Sequence, residues 1–452
     1  DGFNSFQTFP DGSNEWYRYA DVTPETASSP SVNRSIVINE LMVDPPSNSR
    51  NAEFIELYNR GSQPVDLTGW DFSEGTNFSF PNRSLAPGAY LVVAADASRF
   101  EGQDVVGDFD GSLSNRGELV RLEDANGNLV DQVDYRLGGD WPRLVNGAGS
   151  TLELIHPDMD NDFATAWQAS DETTKSEFTD FRIEGTYEQL AQRGSTSDYE
   201  ELHLHLVGDS HIVLRNLVMQ IENTPANRLI NPDRLSTNGS GATGWLCQGT
   251  HWASHFQGNE FHLISDGRGD NRANRAELDV PALARGNLYT LTFQARWVSG
   301  KPRFIVQTWD HSFGGTYLVP IPEQLGTPGA ANSRLATGPA PQVVTVRHSP
   351  AVPSASTPVR ILAEVTGRSL LDHVEAVHRA DTTSGDGPWS RAPMNDAGTD
   401  GDEVAGDGVY TATISDYQGA GSIAEFFVQA VGANGQTTQL PSGGEAQPGM
   451  WV

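Results

Sequence analysis

Residues 118–135 read ELVRLEDANGNLVDQVDY, and this stretch decides the fold class. Apolar and polar residues alternate on both sides of DANGNL (124–129), the period-two pattern of strands with one buried face. Asn126-Gly127 is a pair favoured at tight hairpin turns, because both central positions tolerate positive φ. The stretch therefore reads as a β-hairpin. The same pattern recurs in SIVINELMV (35–43), EFIELYN (53–59), AYLVVAAD (89–96), LHLHLVGDSHIVLRNLVMQI (202–221), LYTLTFQARWV (288–298), RFIVQTWD (303–310), VRILAEVTG (359–367), VYTATIS (409–415) and AEFFVQAVGANGQTTQL (424–440). Turn residues bound each run, and helical periodicity is nearly absent. The expected fold class is all-β, with β-sandwich domains in tandem.

Length and composition agree with this. The 452 residues are long for one domain, and three is a fair prior. Glycine (46) and proline (26) are abundant, as short strands joined by turns require. The formal net charge of −30 opposes contact with nucleic acid or anionic lipid and favours divalent cations. Lys175 and Lys301 are the only lysines. Cys247 stands alone, so no disulfide can form within the chain. No stretch reaches the ~18 apolar residues of a membrane span. The chain begins with Asp1 and shows no signal peptide, as expected of a processed form or a piece of something longer.

Several stretches carry a family resemblance. INELMVDPP (38–46), AEFIELYNRGSQPVDLTGWDFSEG (52–75), FPNRSLAPGAYLVVAAD (80–96), LSNRGELVRLEDANGNLVDQVDY (113–135) and STLELIHPDMDND (150–162) follow one another in an order that resembles the lamin tail domain. That resemblance implies an immunoglobulin-like sandwich over residues 32–175. Within it, Phe54, Ile55 and Leu57 are expected to supply apolar cover while Glu53 and Glu56 face water. Trp70 is expected as a core plug rather than a ligand platform. Residues 1–31 resemble the closing strands of a preceding copy of the same domain, or a linker. Residues 176–335 resemble a jelly-roll of the carbohydrate-binding type, on GWLCQGTHWASHF (244–256) and GDNRANRAELDVPAL (269–283). Residues 340–452 are similar to immunoglobulin or fibronectin type III domains, and 326–342 is expected as a linker. The series resembles the region ahead of the kinase-like domain in large bacterial surface proteins of the spore-coat kinase (CotH) type, through AGDGVYTATI (405–414) and GTPGAANSR (326–334). HRAD (378–381) lacks the rest of a kinase catalytic loop, so that family's activity does not carry over.

Two groups of side chains are candidate sites. In the jelly-roll segment, one strand face presents Gln294 and Arg296, and another presents Gln307 and Trp309. Trp245, His251, Trp252 and His311 are expected as a rim. Flat rings stack on sugars, and amide and guanidinium groups hydrogen-bond their hydroxyls. The alternative is that these tryptophans fill the core or plug loops. The second group is DAGTDGDEVAGDGVY (396–410), where Asp396, Asp400, Asp402 and Asp407 offer oxygens to calcium. Gly398 stands where an EF-hand loop needs a ligand, so a plain solvated turn competes with the calcium reading.

Lesser motifs point to ordinary structure. Asp158, Asp160 and Asp162 alternate in HPDMDNDF (156–163), where an exposed turn is favoured. His203 and His205 share one side of a strand and have zinc-like spacing with His211, but an outward strand face is favoured. The triplet Gly208-Asp209-Ser210 bridges two strands rather than opening a helix, which argues against a hydrolase nucleophile. No nucleophile elbow, zinc-protease helix, phosphate loop or dinucleotide fingerprint occurs. The expectation is a non-catalytic secreted or cell-surface protein for adhesion, display or binding of a polysaccharide or cell-surface glycan. Two other readings stay open. One is the accessory region of a larger surface enzyme, kinase-like or polysaccharide-degrading. The other is a fibre or surface-layer subunit that self-assembles through exposed strand edges.

Overall fold

The computed structural model describes the backbone at 5–8 and 16–19, and residues 32–46, 49–188, 201–222, 224–266, 272–280, 283–309, 311, 313–354, 357–381, 387–415 and 423–451. The architecture is all-β, in successive sandwiches. The expected repeat remnant at 1–31 lies outside these residues, except for strands Ser5–Thr8 and Trp16–Tyr19, which pair antiparallel.

The first sandwich sets a six-stranded sheet against a four-stranded one. The larger sheet runs in the order Val105–Gly107, Tyr90–Ala94, Phe54–Asn59, Ile36–Met42, Leu152–Leu154, Trp167–Ala169. The smaller runs Leu129–Tyr135, Glu118–Glu123, Asp71–Glu74, Phe78–Ser79. Ile38, Ile55, Leu57, Leu91 and Val93 meet Phe72, Val120, Leu122, Val133 and Tyr135 in one core, which also holds Trp70. The hairpin at 118–135 forms as expected, but through a different turn. Gly127 takes φ 75° while Asn126 stays at negative φ. The Asp124 carboxylate accepts from the amides of Asn126 (2.8 Å) and Asn128 (2.9 Å), so one left-handed residue suffices.

The middle sandwich holds two five-stranded sheets. One runs Thr179–Thr186, Leu288–Gly300, Ser210–Ile221, Glu260–Ser265, His255–Gln257. The other runs Leu246–Gln248, Arg275–Asp279, Glu201–Leu206, Arg303–Thr308, Gly314–Leu318. The chain passes repeatedly between them, and the Gly208–Asp209 turn is one such crossing. Leu291, Phe293, Ala295 and Trp297 from the first sheet pack on Leu202, Leu204, Leu278, Phe304 and Val306 from the second. The last sandwich joins a three-stranded sheet to a five-stranded one, with Val359, Ile361, Ala376, Phe426 and Val428 in its core. HRAD (378–381) lies inside strand Leu371–Asp381.

Two expectations for the first sandwich are corrected. Glu53 and Glu56 do not face water; both are buried, Glu56 completely. Residues 326–334 are not a free linker either. This strap crosses the outer face of the six-stranded sheet, where Glu40, Glu56 and Glu153 point away from the core. The Thr327 amide donates to Glu40 Oε1 (2.8 Å), and its hydroxyl donates to Glu153 Oε1 (2.9 Å). The Gly329 amide donates to Glu56 Oε2 (2.5 Å). Ser333 Oγ and the Arg334 amide donate to Glu153 Oε2 (2.7 and 3.0 Å). Asn332 Nδ2 donates to the Leu154 carbonyl (2.8 Å). Just upstream, Leu325 packs with Met42, Phe54, Val92, Ala94 and Phe100. Buried carboxylates persist only where donors converge on them, and the strap supplies those donors.

Candidate functional site

The middle sandwich divides the expected glycan residues between its two sheets. Gln294 and Arg296 lie on strand Leu288–Gly300, and Gln307 lies on strand Arg303–Thr308 of the opposite sheet. Their outer faces point in opposite directions, so the pair Gln294 and Arg296 does not form one surface with Gln307 and Trp309. Gln294 instead accepts from Arg215 Nε (2.8 Å) and donates to Asp180 (2.9 Å). Arg296 donates to the Thr173 carbonyl (2.9 Å). Trp245 and His251 do not form a rim, because both are buried. The Trp245 ring stacks on Phe261 in the core (5.3 Å between centroids), and His251 Nε2 accepts from the Leu206 amide (2.8 Å).

Gln307, Trp309, His311 and the sequence neighbourhood of Trp252 remain on one side. Strand Glu201–Leu206 buries Leu202, Leu204 and Leu206 and turns Glu201, His203 and His205 outward. Its register with Arg303–Thr308 sets His205 beside Ile305 and His203 beside Gln307. A strip of side chains then crosses the sheet. His205 Nδ1 meets the Asn274 carbonyl (3.0 Å), and His205 Nε2 meets Gln307 Nε2 (3.1 Å). Gln307 Oε1 meets His311 Nδ1 (2.9 Å). Asn274 Oδ1 also accepts from the Thr250 amide (3.1 Å), two residues before Trp252. Trp252 is 55% exposed, the most exposed tryptophan among the described residues. Trp309 is half-buried, and its amide donates to the Glu201 carbonyl (3.1 Å).

The chemistry of this strip suits hydroxyl-rich ligands. Burial and the neighbouring His203, Arg275 and His311 hold His205 below the usual histidine range. A neutral imidazole both donates and accepts, as does the Gln307 amide. Sequence reasoning missed Asn274, and it set His205 aside as an ordinary outward residue. The alternation in HLHL was the available signal, but the cross-strand partner that makes it informative is set by register.

Beside the strip lies a charged group. His203 Nε2 sits 2.8 Å from Glu201 Oε2. Arg275 Nε donates to Glu277 Oε2 (2.5 Å) and its guanidinium is 4.0 Å from Glu201. The histidine set weighed from spacing does not assemble, because His211 belongs to the opposite sheet, where it meets His262 (2.9 Å).

A cleft of about 500 Å³ opens where the three sandwiches meet, with Trp141, Trp167, His211 and Gln447 in its wall. Arg143 crosses this junction. It donates in bidentate fashion to Asp209 (Nε to Oδ2, 3.1 Å) and to the Asp266 carbonyl (2.6 Å).

The aspartate loop closes on itself. Asp396 accepts from the amides of Gly406 (2.7 Å), Asp407 (3.1 Å) and Gly408 (3.1 Å). Asp402 accepts from Gly398 (2.5 Å) and Asp407 from Val409 (2.9 Å). Asp396, Asp402 and Asp407 each bring an oxygen within 4.8 Å of the others; Asp400, at φ 55°, is not in that group. In the other acidic run, Asp158 pairs with Arg60 (3.4 Å), and the Asp160 amide donates to Gln342 (2.9 Å).

The fold and these surfaces define an all-β protein of tandem sandwiches. The Lamin Tail Domain family model matches residues 29–136, which takes in the first sandwich from strand Ile36–Met42 to strand Leu129–Tyr135. No curated protein matches this chain. Among the described residues, no helix is long and apolar enough to cross a membrane.

Proposed function

We propose that this chain is a non-catalytic binder of polysaccharide or cell-surface glycan, working outside the cell or on its surface. The observation that supports it most is the strip Asn274–His205–Gln307–His311, tied through Asn274 Oδ1 and the Thr250 amide to the segment that carries the exposed Trp252. It offers hydrogen-bonding groups in a row on a paired sheet that keeps their spacing, and the adjoining segment carries an exposed indole on which a sugar ring could stack. The passage of strands between the two five-stranded sheets supports the jelly-roll reading of this sandwich. The first sandwich, with its strap, acts as a rigid mount. The strong negative charge suits a solvated, displayed protein.

The test is retention on a polysaccharide and glycan array. Trp252→Ala and Gln307→Ala should each weaken binding about tenfold, in line with an aromatic contact or a lost polar pair. Gln294→Ala, on the opposite face, should leave binding unchanged. Loss with Gln294→Ala and not with the other two would move the site. Absence of any retained glycan would remove the reading.

A further inference from the structure

We propose that Glu201, His203 and Glu277 form a binding site for a divalent transition-metal ion, with Zn²⁺ as the representative. The proposal concerns the protein alone and does not rest on glycan binding.

Backbone register builds the site. Strands Glu201–Leu206 and Arg275–Asp279 pair antiparallel, with His203 directly opposite Glu277. Glu201 is two residues before His203 and so shares its face. One ligand atom from each of the three lies within 4.8 Å of the other two. An ion placed among them would need only small adjustments of these three side chains once Arg275 leaves Glu277. Paired strands hold the Cα positions, so little ordering has to occur on binding.

The donor set selects the ion. One imidazole nitrogen and two carboxylate oxygens suit Zn²⁺, Co²⁺ or Mn²⁺ and leave a position open for water. Ca²⁺ wants six or more oxygens and gains little from imidazole. Charge and burial add a second argument. His203 and Glu277 are 3% and 8% exposed. Glu201, Glu277 and the neighbouring Asp279 bring three carboxylates to this face. Arg275 answers one of them closely, at Glu277, and reaches a second at 4.0 Å. A half-buried group with surplus negative charge is costly, and a divalent cation matches the surplus. Arg275 is the internal competitor: it must swing off Glu277, toward solvent, when the ion binds. The consequence is a staple between two adjacent strands beside the His205–Gln307 strip.

Chelator-treated full-length chain is titrated with ZnCl₂ by calorimetry, and with CoCl₂ while visible absorption is followed. One ion per chain is expected, with cobalt bands of a four- or five-coordinate nitrogen–oxygen site. His203→Ala and Glu277→Gln should each lower affinity at least tenfold. Glu201→Gln, at a more exposed position, guards against loss of folding in the other two and should do the same. Arg275→Gln should tighten binding by removing the competitor. Asp396→Asn and His211→Ala should leave it unchanged. Absence of saturable Zn²⁺ binding would overturn the proposal. So would binding that survives in the folded Glu201→Gln and Glu277→Gln variants, or equal affinity for Ca²⁺.

Discussion

Two outer sheet faces in this molecule carry polar side chains, and they meet different fates. On the first sandwich, Glu40, Glu56 and Glu153 are completely buried beneath residues 326–334 of the same chain. On the middle sandwich, Gln307 and His205 are half-buried, and Asn274 and His311 are exposed. Alternation along a strand separates two faces but does not say what lies against the second. The first face has become an internal interface, held by polar contacts made specific through burial. The other keeps the strip from Asn274 to His311 within reach of solvent, although His203 and Glu277 beside it are buried.

The strap is the place to break this contrast most severely. Gly326 has φ 71°, and a Cβ there would collide with Glu40 Oε1 and Thr151. Gly326→Val should therefore destabilise the first sandwich by more than about 3 kcal/mol, through backbone strain and loss of donors to buried carboxylates. Thr327→Val removes only the hydroxyl that donates to Glu40 and Glu153. It should cost about 1–3 kcal/mol. Chemical denaturation followed by exchange of amides in strands Ile36–Met42 and Phe54–Asn59 would measure both. Wild-type stability in Gly326→Val would mean that the strap does not seal the face.

Much of this was legible in the sequence, and the losses have one cause. Strand periodicity, the Trp70 plug and the 118–135 hairpin follow from local rules, and the structure has them. The run Leu91-Val92-Val93-Ala94 is buried on both sides. Unbroken apolar runs mark a strand covered on two faces, so the hidden second face was written there. Glu53 and Glu56 were misread because a charged residue in an alternating strand is normally outward and wet. The partner that hides Glu56 is Gly329, 273 positions away. The glycan set was split because two alternating strands close in sequence, 288–300 and 303–308, enter opposite sheets. Local patterning assigns a face to each strand and leaves open which sheet each strand joins.

Acidity sharpens the comparison, because the two sandwiches respond to it with opposite sign. Burial raises Glu56 from 4.5 to about 8, with a further push from Glu153. Burial likewise raises Glu53 and Asp131 to about 7. Each of these holds its proton more tightly folded than unfolded. Their stabilisation is full below the unfolded value and is lost as pH climbs through the folded one. In the middle sandwich, burial lowers His211 and His251 from 6.5 to about 4, with His262 and His205 respectively adding repulsion. Their stabilisation is present above 6.5 and fades as pH falls towards 4. Asp279, raised by burial and by Glu201 and Glu277, works against this trend, but it is one partly exposed group against two buried ones. Between about pH 4.5 and 6.5, acidification should therefore protect the first core and loosen the middle one. Each fully responding group contributes up to about 1.4 kcal/mol per pH unit. Hydrogen exchange corrected for intrinsic rates should show the two sets of core amides moving in opposite directions. Glu56→Gln should flatten the slope of the first. Parallel movement of both would show that these groups do not govern the response.

The smallest effect is expected from calcium at the aspartate loop, which stands between the two faces in kind. Its carboxylates are neither sealed by a distant segment nor left unused; the loop's own amides satisfy them, with Arg368 added at Asp396 (3.4 Å). Asp396 accepts three such amides, so Asp396→Ala should cost the last sandwich about 1–3 kcal/mol whether or not a cation is present. A carboxylate has about four acceptor positions; three amides and Arg368 (3.4 Å) fill those of Asp396, so calcium would draw mainly on those left over on Asp402 and Asp407. We propose that such binding is weak, with a dissociation constant on the order of 10⁻³ M, because few ligands converge and the turn is already closed without the ion. Millimolar CaCl₂ should then raise the melting temperature of the last sandwich by only about a degree or two. EDTA should reverse that shift and leave the first sandwich untouched. A melting curve indifferent to calcium, beside a destabilised Asp396→Ala, would show that these acids serve the turn alone.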